Sequence, residues 1–313
     1  MSDQLPLVTR TYQNHHLDST RWSAYAPRSS DIIVSTSYKA GTTWTQHILH
    51  ELLHGNSEPM PGFRDVTPWP DARFIPMSKE QLGPFLNNIP GRRFIKSHLP
   101  LDGLPYYPEV KYVIVGRDCR DVFMSFYNHY SSYTELAMNM MNAPDIVGDK
   151  LPLCPKDPRE LWAKWISQGW FEWESEGYPF WSNLAHTQSY WEYKHLPNFY
   201  FMHYNDMLTD LEGSICGLAD FLGESPSPEH LAKIVDNTTF ANVKTKAIEE
   251  DAKGDQKGLI FDGGSAGFYF KGTNGRWRDV LTAEDLALYE DAKARVLNPD
   301  SARWLEEGGV VPK

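Results

Sequence analysis

Four short runs rich in β-branched and aromatic residues constrain this chain most. They are Asp31–Ser37 (DIIVSTS), Arg93–Ser97 (RFIKS), Lys111–Gly116 (KYVIVG) and Asn198–His203 (NFYFMH). Such runs read as strands buried on both faces, because they lack the polar alternation of a half-exposed strand. Helical patterns follow three of them. Trp44, Ile48, Leu49, Leu52 and Leu53 fall at helical spacing over Thr42–Leu53, and a helix runs from Asp118 to about Tyr130. Met207, Leu208, Leu211, Ile215, Leu218 and Leu222 share one face of Asp206–Leu222. Strands alternating with helices predict an α/β fold with a central parallel sheet covered on both sides.

No repeat or low-complexity linker divides the 313 residues, so one domain over 1–313 is expected. Thr282 followed three residues later by Asp285 resembles a capping box opening a helix over Ala283–Val296. Two stretches, 131–158 and 244–275, fit no regular element and are candidate lid or binding loops. The first carries Met138, Met140 and Met141.

Charge narrows the ligands. With 30 Lys and Arg against 41 Asp and Glu, the net charge of −11 excludes the broad positive field of a nucleic-acid binder. An anionic ligand must be held by a few local cations. Cys119, Cys154 and Cys216 are odd in number and widely spaced, which suggests neither a disulfide framework nor a metal site. No run approaches ~18 apolar residues, and Met1–Arg10 lacks the pattern of a signal peptide. No membrane insertion and a cytoplasmic location are therefore expected.

Chemistry-bearing residues gather where strands end. Ser37-Tyr38-Lys39-Ala40-Gly41-Thr42-Thr43-Trp44 joins the first strand to its helix. A short loop bending at glycine can aim backbone N–H groups and a helix N-terminus at one anion, with Lys39, Thr42 and Thr43 adding a cation and two hydroxyls. Lys39 precedes Gly41, unlike the lysine of an ordinary nucleoside-triphosphate loop. Arg117 sits at the third strand tip, with Ser125 eight residues on in the following helix. The two could share a phosphate, or Arg117 and Arg120 could simply pair with Asp118 and Asp121. His98, in Lys96-Ser97-His98-Leu99-Pro100, ends the second strand, and Tyr204 ends the fourth. In open α/β sheets ligands bind outside the carboxyl ends of the strands, so Lys39, His98, Arg117 and Tyr204 would share one site.

In this arrangement the chain resembles the cytosolic sulfotransferases, with a bacterial-type member expected. Ser37–Trp44 is similar to the family's YPKSGTTW, Lys96–Pro100 to KxHLP, and Arg117 with Ser125 to its Arg-x7-Ser segment. Tyr204–Met207 is similar to YEDM, Thr238-Thr239-Phe240 to TSF, and Phe270–Trp277 to RKGxxGDW. The resemblance implies a sulfuryl donor, 3′-phosphoadenosine-5′-phosphosulfate (PAPS), a product PAP, and no metal. It places Lys39 by the transferring group, with the loop from Ala40 through Gly41, Thr42 and Thr43 cradling the 5′-phosphate. Trp44, Tyr204 and Phe240 would meet the adenine beside Thr238. Arg117, Ser125, Lys271 and Gly272 would hold the 3′-phosphate. His98 would be the base, and Lys96 an electrostatic helper.

The sequence departs from the family at four places. Tyr38 replaces a proline, Ala40 a serine and Phe270 an arginine, for which Arg276 or Arg278 would compensate. A C-terminal dimer motif is met only in part by Arg278, Thr282, Ala283 and Ala287, which leaves a homodimer as an open expectation. The expected acceptor is a small apolar or aromatic hydroxyl compound, or an amine, walled by 131–158 and the aromatic-rich Trp162–Trp191. A P-loop-type kinase or NTPase, or a nucleotide-binding protein without catalysis, are the alternatives.

Overall fold

The computed structural model describes residues 4–253 and 258–312. Its centre is a four-stranded, all-parallel sheet in the order β2-β1-β3-β4. The strands are β1 (Ile32–Thr36), β2 (Phe94–Ser97), β3 (Lys111–Gly116) and β4 (Phe199–His203). Every residue of β1 is buried, as its apolar run requires. β1 pairs with β2 through Ile33↔Ile95 and with β3 through Ile33↔Tyr112. The chain leaves β1 toward β2 on one side and leaves β3 toward β4 on the other. The topological switch point, where α/β sheets bind ligands, thus lies between β1 and β3.

Helices cover the sheet. The first three are α1 (Thr42–His54), α2 (Phe63–Val66) and α3 (Lys79–Asn88). After β3 come α4 (Cys119–Ser131), α5 (Glu135–Met141), α6 (Pro158–Ser167) and α7 (Leu184–Trp191). After β4 come α8 (Tyr204–Thr209), α9 (Leu211–Leu222), α10 (Pro228–Thr238) and α11 (Phe240–Lys253). The chain ends in α12 (Gly264–Phe268), α13 (Ala283–Val296) and α14 (Pro299–Glu307). The capping box of Thr282 and Asp285 opens α13 as expected.

Three expectations need correction. Asp206–Leu222 is two helices rather than one, because Asp210 leaves helical geometry and its carboxylate caps α9 through the Gly213 N–H. The stretch 131–158 contains α5, opened by Thr134 accepting from the Ala137 N–H. The stretch 244–275 contains most of α11 and all of α12, with 254–257 outside the described residues. A helix of seven residues is too short to announce itself, and α11 carries so many charged residues that its apolar face does not stand out. The two stretches also pair with each other. Tyr133 bridges Phe261, and the Asp262 N–H donates to the Ser132 carbonyl at 2.7 Å. Among the described residues no helix is long and apolar enough to cross a membrane.

Candidate active site

A cavity of ≈ 530 Å³ opens at the carboxyl edge of the sheet. All four strand tips line it, bringing Lys39, His98, Arg117 and Tyr204 together from four separate segments.

The β1–α1 loop is built for close approach. Lys39 has φ +62°, the one non-glycine with positive φ among the described residues, which marks a backbone held in place by its surroundings. Tyr38 supplies part of that hold. Buried against Phe126, Phe180 and Trp181, it accepts from Trp165 Nε1 at 2.5 Å and so anchors the loop where a proline would stiffen it. Gly41 at φ +123° begins α1, and a Cβ there would lie 3.1 Å from Tyr204. No side chain caps α1, whereas Asp118 caps α4 and Ser227 caps α10. The first turn of α1 therefore presents free N–H groups and its positive end to the cavity at Thr42 and Thr43.

The competing readings of Arg117 and Arg120 separate cleanly. Arg120 pairs with Asp118 at 2.7 Å and serves the helix start. Arg117 forms no direct ion pair with a carboxylate among the described residues. It spans Asn274 Oδ1 (2.6 and 3.0 Å), the Lys39 carbonyl and the Thr273 carbonyl, and stacks 3.9 Å from the Tyr204 ring centroid. The guanidinium is only 5% exposed, lines the cavity, and has Asp121 and Asp118 near it without a direct ion pair. Arg276 lines the same end, and its buried Nε has no hydrogen-bond partner. Ser125, Lys271 and Gly272 lie there too, and a Cβ on Gly272 would strike the Phe240 ring at 2.7 Å. Trp44 stands edge-on to Tyr204 and donates Nε1–H to the Thr238 carbonyl at 2.7 Å.

Two residues expected to touch the donor do not face the cavity. Ala40 is packed into the core. Thr238 is buried behind Trp44, with its hydroxyl donated to the Ile234 carbonyl and its own carbonyl accepting from Trp44 Nε1.

His98 stands between the two ends of the cavity. Its Nδ1 lies 2.9 Å from the Thr36 carbonyl, which can only accept, so Nδ1 carries the proton and Nε2 keeps its lone pair. Burial, then Lys96, holds its pKa well below that of free histidine, so the ring is neutral. Lys39 and Lys96 are also perturbed. Burial, then the neighbouring cations Lys96 and Arg117, lowers Lys39 to about 7. Burial lowers Lys96 to about 8 against an opposing pull from Asp71, and its ammonium lies 3.7 Å from the Trp69 ring centroid. Beyond His98 the wall turns aromatic. Trp69 meets His98 and Phe74 edge-on, and Trp181 tilts against His98. Tyr133, Met140, Met141 and Phe261 complete this end. Of the Trp162–Trp191 segment only Phe180 and Trp181 line the cavity, while Trp162 and Trp165 are core. No three His, Cys, Asp or Glu among the described residues are grouped as metal ligands.

Sequence reasoning missed His129, Trp69, Phe74 and His16. His129 was within reach, since it follows Ser125 by one helical turn on α4. Trp69 and Phe74 lie outside any periodic element and give no such signal.

The fold and site together describe an α/β protein with a cationic and aromatic cavity at the carboxyl edge of its parallel sheet. The sulfotransferase domain family matches residues 29–297, and the chain belongs to that family. It is 28% identical to the glycolipid sulfotransferase of Mycobacterium bovis over 98% of both chains. It is 27% identical to sulfotransferase 1A1 of Rattus norvegicus over 80% of this chain and 79% of the other. Two solved structures share the fold. Mouse sulfotransferase SULT7A1 complexed with PAP superposes with a TM-score of 0.65 at 19% identity, covering 91% and 90% of the chains. Retinol dehydratase in a complex with retinol and PAP gives 0.67 at 24%, covering 90% and 87%. The family match decides against the kinase alternative, which the position of Lys39 ahead of Gly41 already disfavoured.

Proposed function

We propose that this protein transfers the sulfuryl group of PAPS to the hydroxyl of a small apolar or aromatic acceptor, with His98 as general base. One observation carries the reading. A neutral imidazole with a bare Nε2 stands where a cationic, aromatic-clamped end of one cavity meets an apolar end. The bound donor would supply an electrophilic sulfur and a phosphate leaving group. As the acceptor oxygen bonds to sulfur and the bond to the phosphate oxygen breaks, the acceptor proton passes to His98 Nε2.

The other roles follow from charge and position. The α1 N-terminus at Gly41, Thr42 and Thr43 holds the 5′-phosphate, and Lys39 offsets charge growing on the departing oxygen. Lys96 adds positive potential near the reacting atoms. Trp44, Tyr204 and Phe240 clamp the adenine. Arg117, Ser125, Lys271 and Gly272 hold the 3′-phosphate, and Arg276, with its unpartnered Nε, replaces the cation lost at Phe270. Tyr133, Met140 and Met141 of the stretch 131–158 and Ile260 and Phe261 of the stretch 244–275 act as binding residues for the acceptor. A relative carries the name glycolipid sulfotransferase, and a glycolipid has a large apolar part, in keeping with this wall.

The donor half is tested by thermal stabilisation with PAP against AMP, which lacks the 3′-phosphate. A ligand at about 100 times its Kd adds ~2.7 kcal/mol. A large shift with PAP alone is expected. Equal shifts with both would remove the 3′-phosphate site.

A further inference from the structure

Five hydrogen-bonding groups, buried at the inner end and half-buried at Tyr133 and His129, run in one string from the core to Lys39. His15 Nε2 lies 2.8 Å from the Pro179 carbonyl, and His15 Nδ1 lies 2.5 Å from His16 Nδ1. His16 Nε2 is 3.0 Å from the Tyr133 hydroxyl, which is 3.1 Å from His129 Nε2. His129 Nδ1 is 3.4 Å from Lys39 Nζ.

The polarity of this string is fixed at its inner end. A carbonyl only accepts, so His15 Nε2 carries a proton and a neutral His15 accepts at Nδ1. His16 must then donate from Nδ1 and accept at Nε2. Tyr133 donates its hydroxyl proton to His16 and accepts from His129 Nε2–H. Only one arrangement remains for His129, a bare Nδ1 aimed at the Lys39 ammonium. We infer that His129 is a positioning residue for Lys39, its accepting nitrogen set by the string Tyr133–His16–His15–Pro179. The inference rests on the proposed role of Lys39 beside the transferring group.

Neutrality of the rings is what the surroundings favour. His15 and His16 are almost wholly buried, and burial holds all three histidines below the ordinary range, His15 to about 3. The groups facing Lys39 and His129 are Lys96 and His98 from β2 and its tip, and Arg117 from β3. Phe268 lies 4.3 Å from Lys39 Nζ, and Phe261 tilts over His129. None of these is an anion, so among the described residues His129 Nδ1 is the one acceptor offered to the ammonium by a side chain. Because the string ends on a carbonyl, which cannot take up a proton, it does not conduct protons away. It is a tautomer lock. A ligand that favours the charged donor also raises the pKa at which Lys39 loses its proton.

The direct test is NMR of the whole protein with ¹⁵N-labelled histidine. His129 should be protonated at Nε2 and bare at Nδ1, His16 the reverse, and His15 protonated at Nε2. A His129 protonated at Nδ1, or charged at neutral pH, overturns the inference. Kinetics supply the second arm. His129→Phe should lower kcat about 10-fold through misplacement of Lys39, leave the donor KM nearly unchanged, and move the alkaline limb of kcat to lower pH. His129→Asn, whose amide oxygen can accept from Lys39, should restore both, and Tyr133→Phe should abolish the single tautomer. An unmoved alkaline limb in His129→Phe without rescue by asparagine would make His129 merely structural. A wild-type protein with the expected tautomers but no sulfuryl transfer would instead sink the functional reading alone.

Discussion

The two ends of the cavity solve opposite problems with different materials. The donor end concentrates Lys39, Arg117, Lys271, Arg276 and an uncapped helix in a chain of net charge −11, with no carboxylate bonded to Arg117. The acceptor end is a wall of rings and thioethers from Trp69, Phe74, Tyr133, Met140, Met141 and Phe261. Under the proposed function the first would recognise by fixed charge and geometry, the second by shape and exclusion of water. His98 lies between them, with Nδ1 held by the Thr36 carbonyl and Nε2 left bare.

The comparison is most sharply tested at the junction. His98→Ala should lower turnover by about 100-fold or more, as loss of a general base does, while PAP affinity stays within twofold or so. Near-normal turnover would remove His98 from the chemistry. Next in size, Arg276→Gln should weaken PAP about 10-fold and leave AMP unaffected, because a charge-assisted contact to the 3′-phosphate is lost. Arg278→Gln, at an exposed side chain stacked on Trp277, should change neither affinity, and the opposite ranking would move the missing cation to Arg278. At the other end, Phe74→Ala should raise the KM of an apolar acceptor about 5-fold without touching PAP binding, in line with the loss of part of a buried ring. An effect on PAP instead would mean that the ends are not separate.

The smallest effect is in protons. Lys39 and Lys96 fall to about 7 and about 8 in the free protein, and a bound anion favours their ammonium forms. Binding of PAP at about pH 8 should take up protons and weaken as pH rises, whereas near pH 6 both lysines are already charged and uptake should vanish. Calorimetry in buffers of different ionisation enthalpy reads this directly, and proton release at pH 8 would reverse the assigned charges.

The donor end was far more legible in the sequence than the acceptor end. Its residues sit at strand tips and helix starts, where the chain must place them. The spacing of Arg117 and Ser125, or the order Lys39-Ala40-Gly41, can be read without knowing what packs opposite. Arg117 and Arg120 could not be told apart that way, because only the fold shows Asp118 turned toward Arg120. The acceptor wall comes from a loop holding Trp69 and Phe74 and from two segments that meet only in three dimensions, Tyr133 against Phe261. Nothing local announces such a meeting. The unbroken helix expected over Asp206–Leu222 failed for a related reason, since Asp210 serves as a cap for the helix after it.

Sulfuryl transfer itself is the most direct test of the proposed function. Protein incubated with PAPS labelled in its sulfuryl group, and with a panel of apolar phenols and alcohols, should yield labelled sulfate esters and PAP in equal amounts, with His98→Ala nearly silent. Tight binding of PAP with no labelled ester from any acceptor would contradict it and leave a nucleotide-binding protein that does not catalyse.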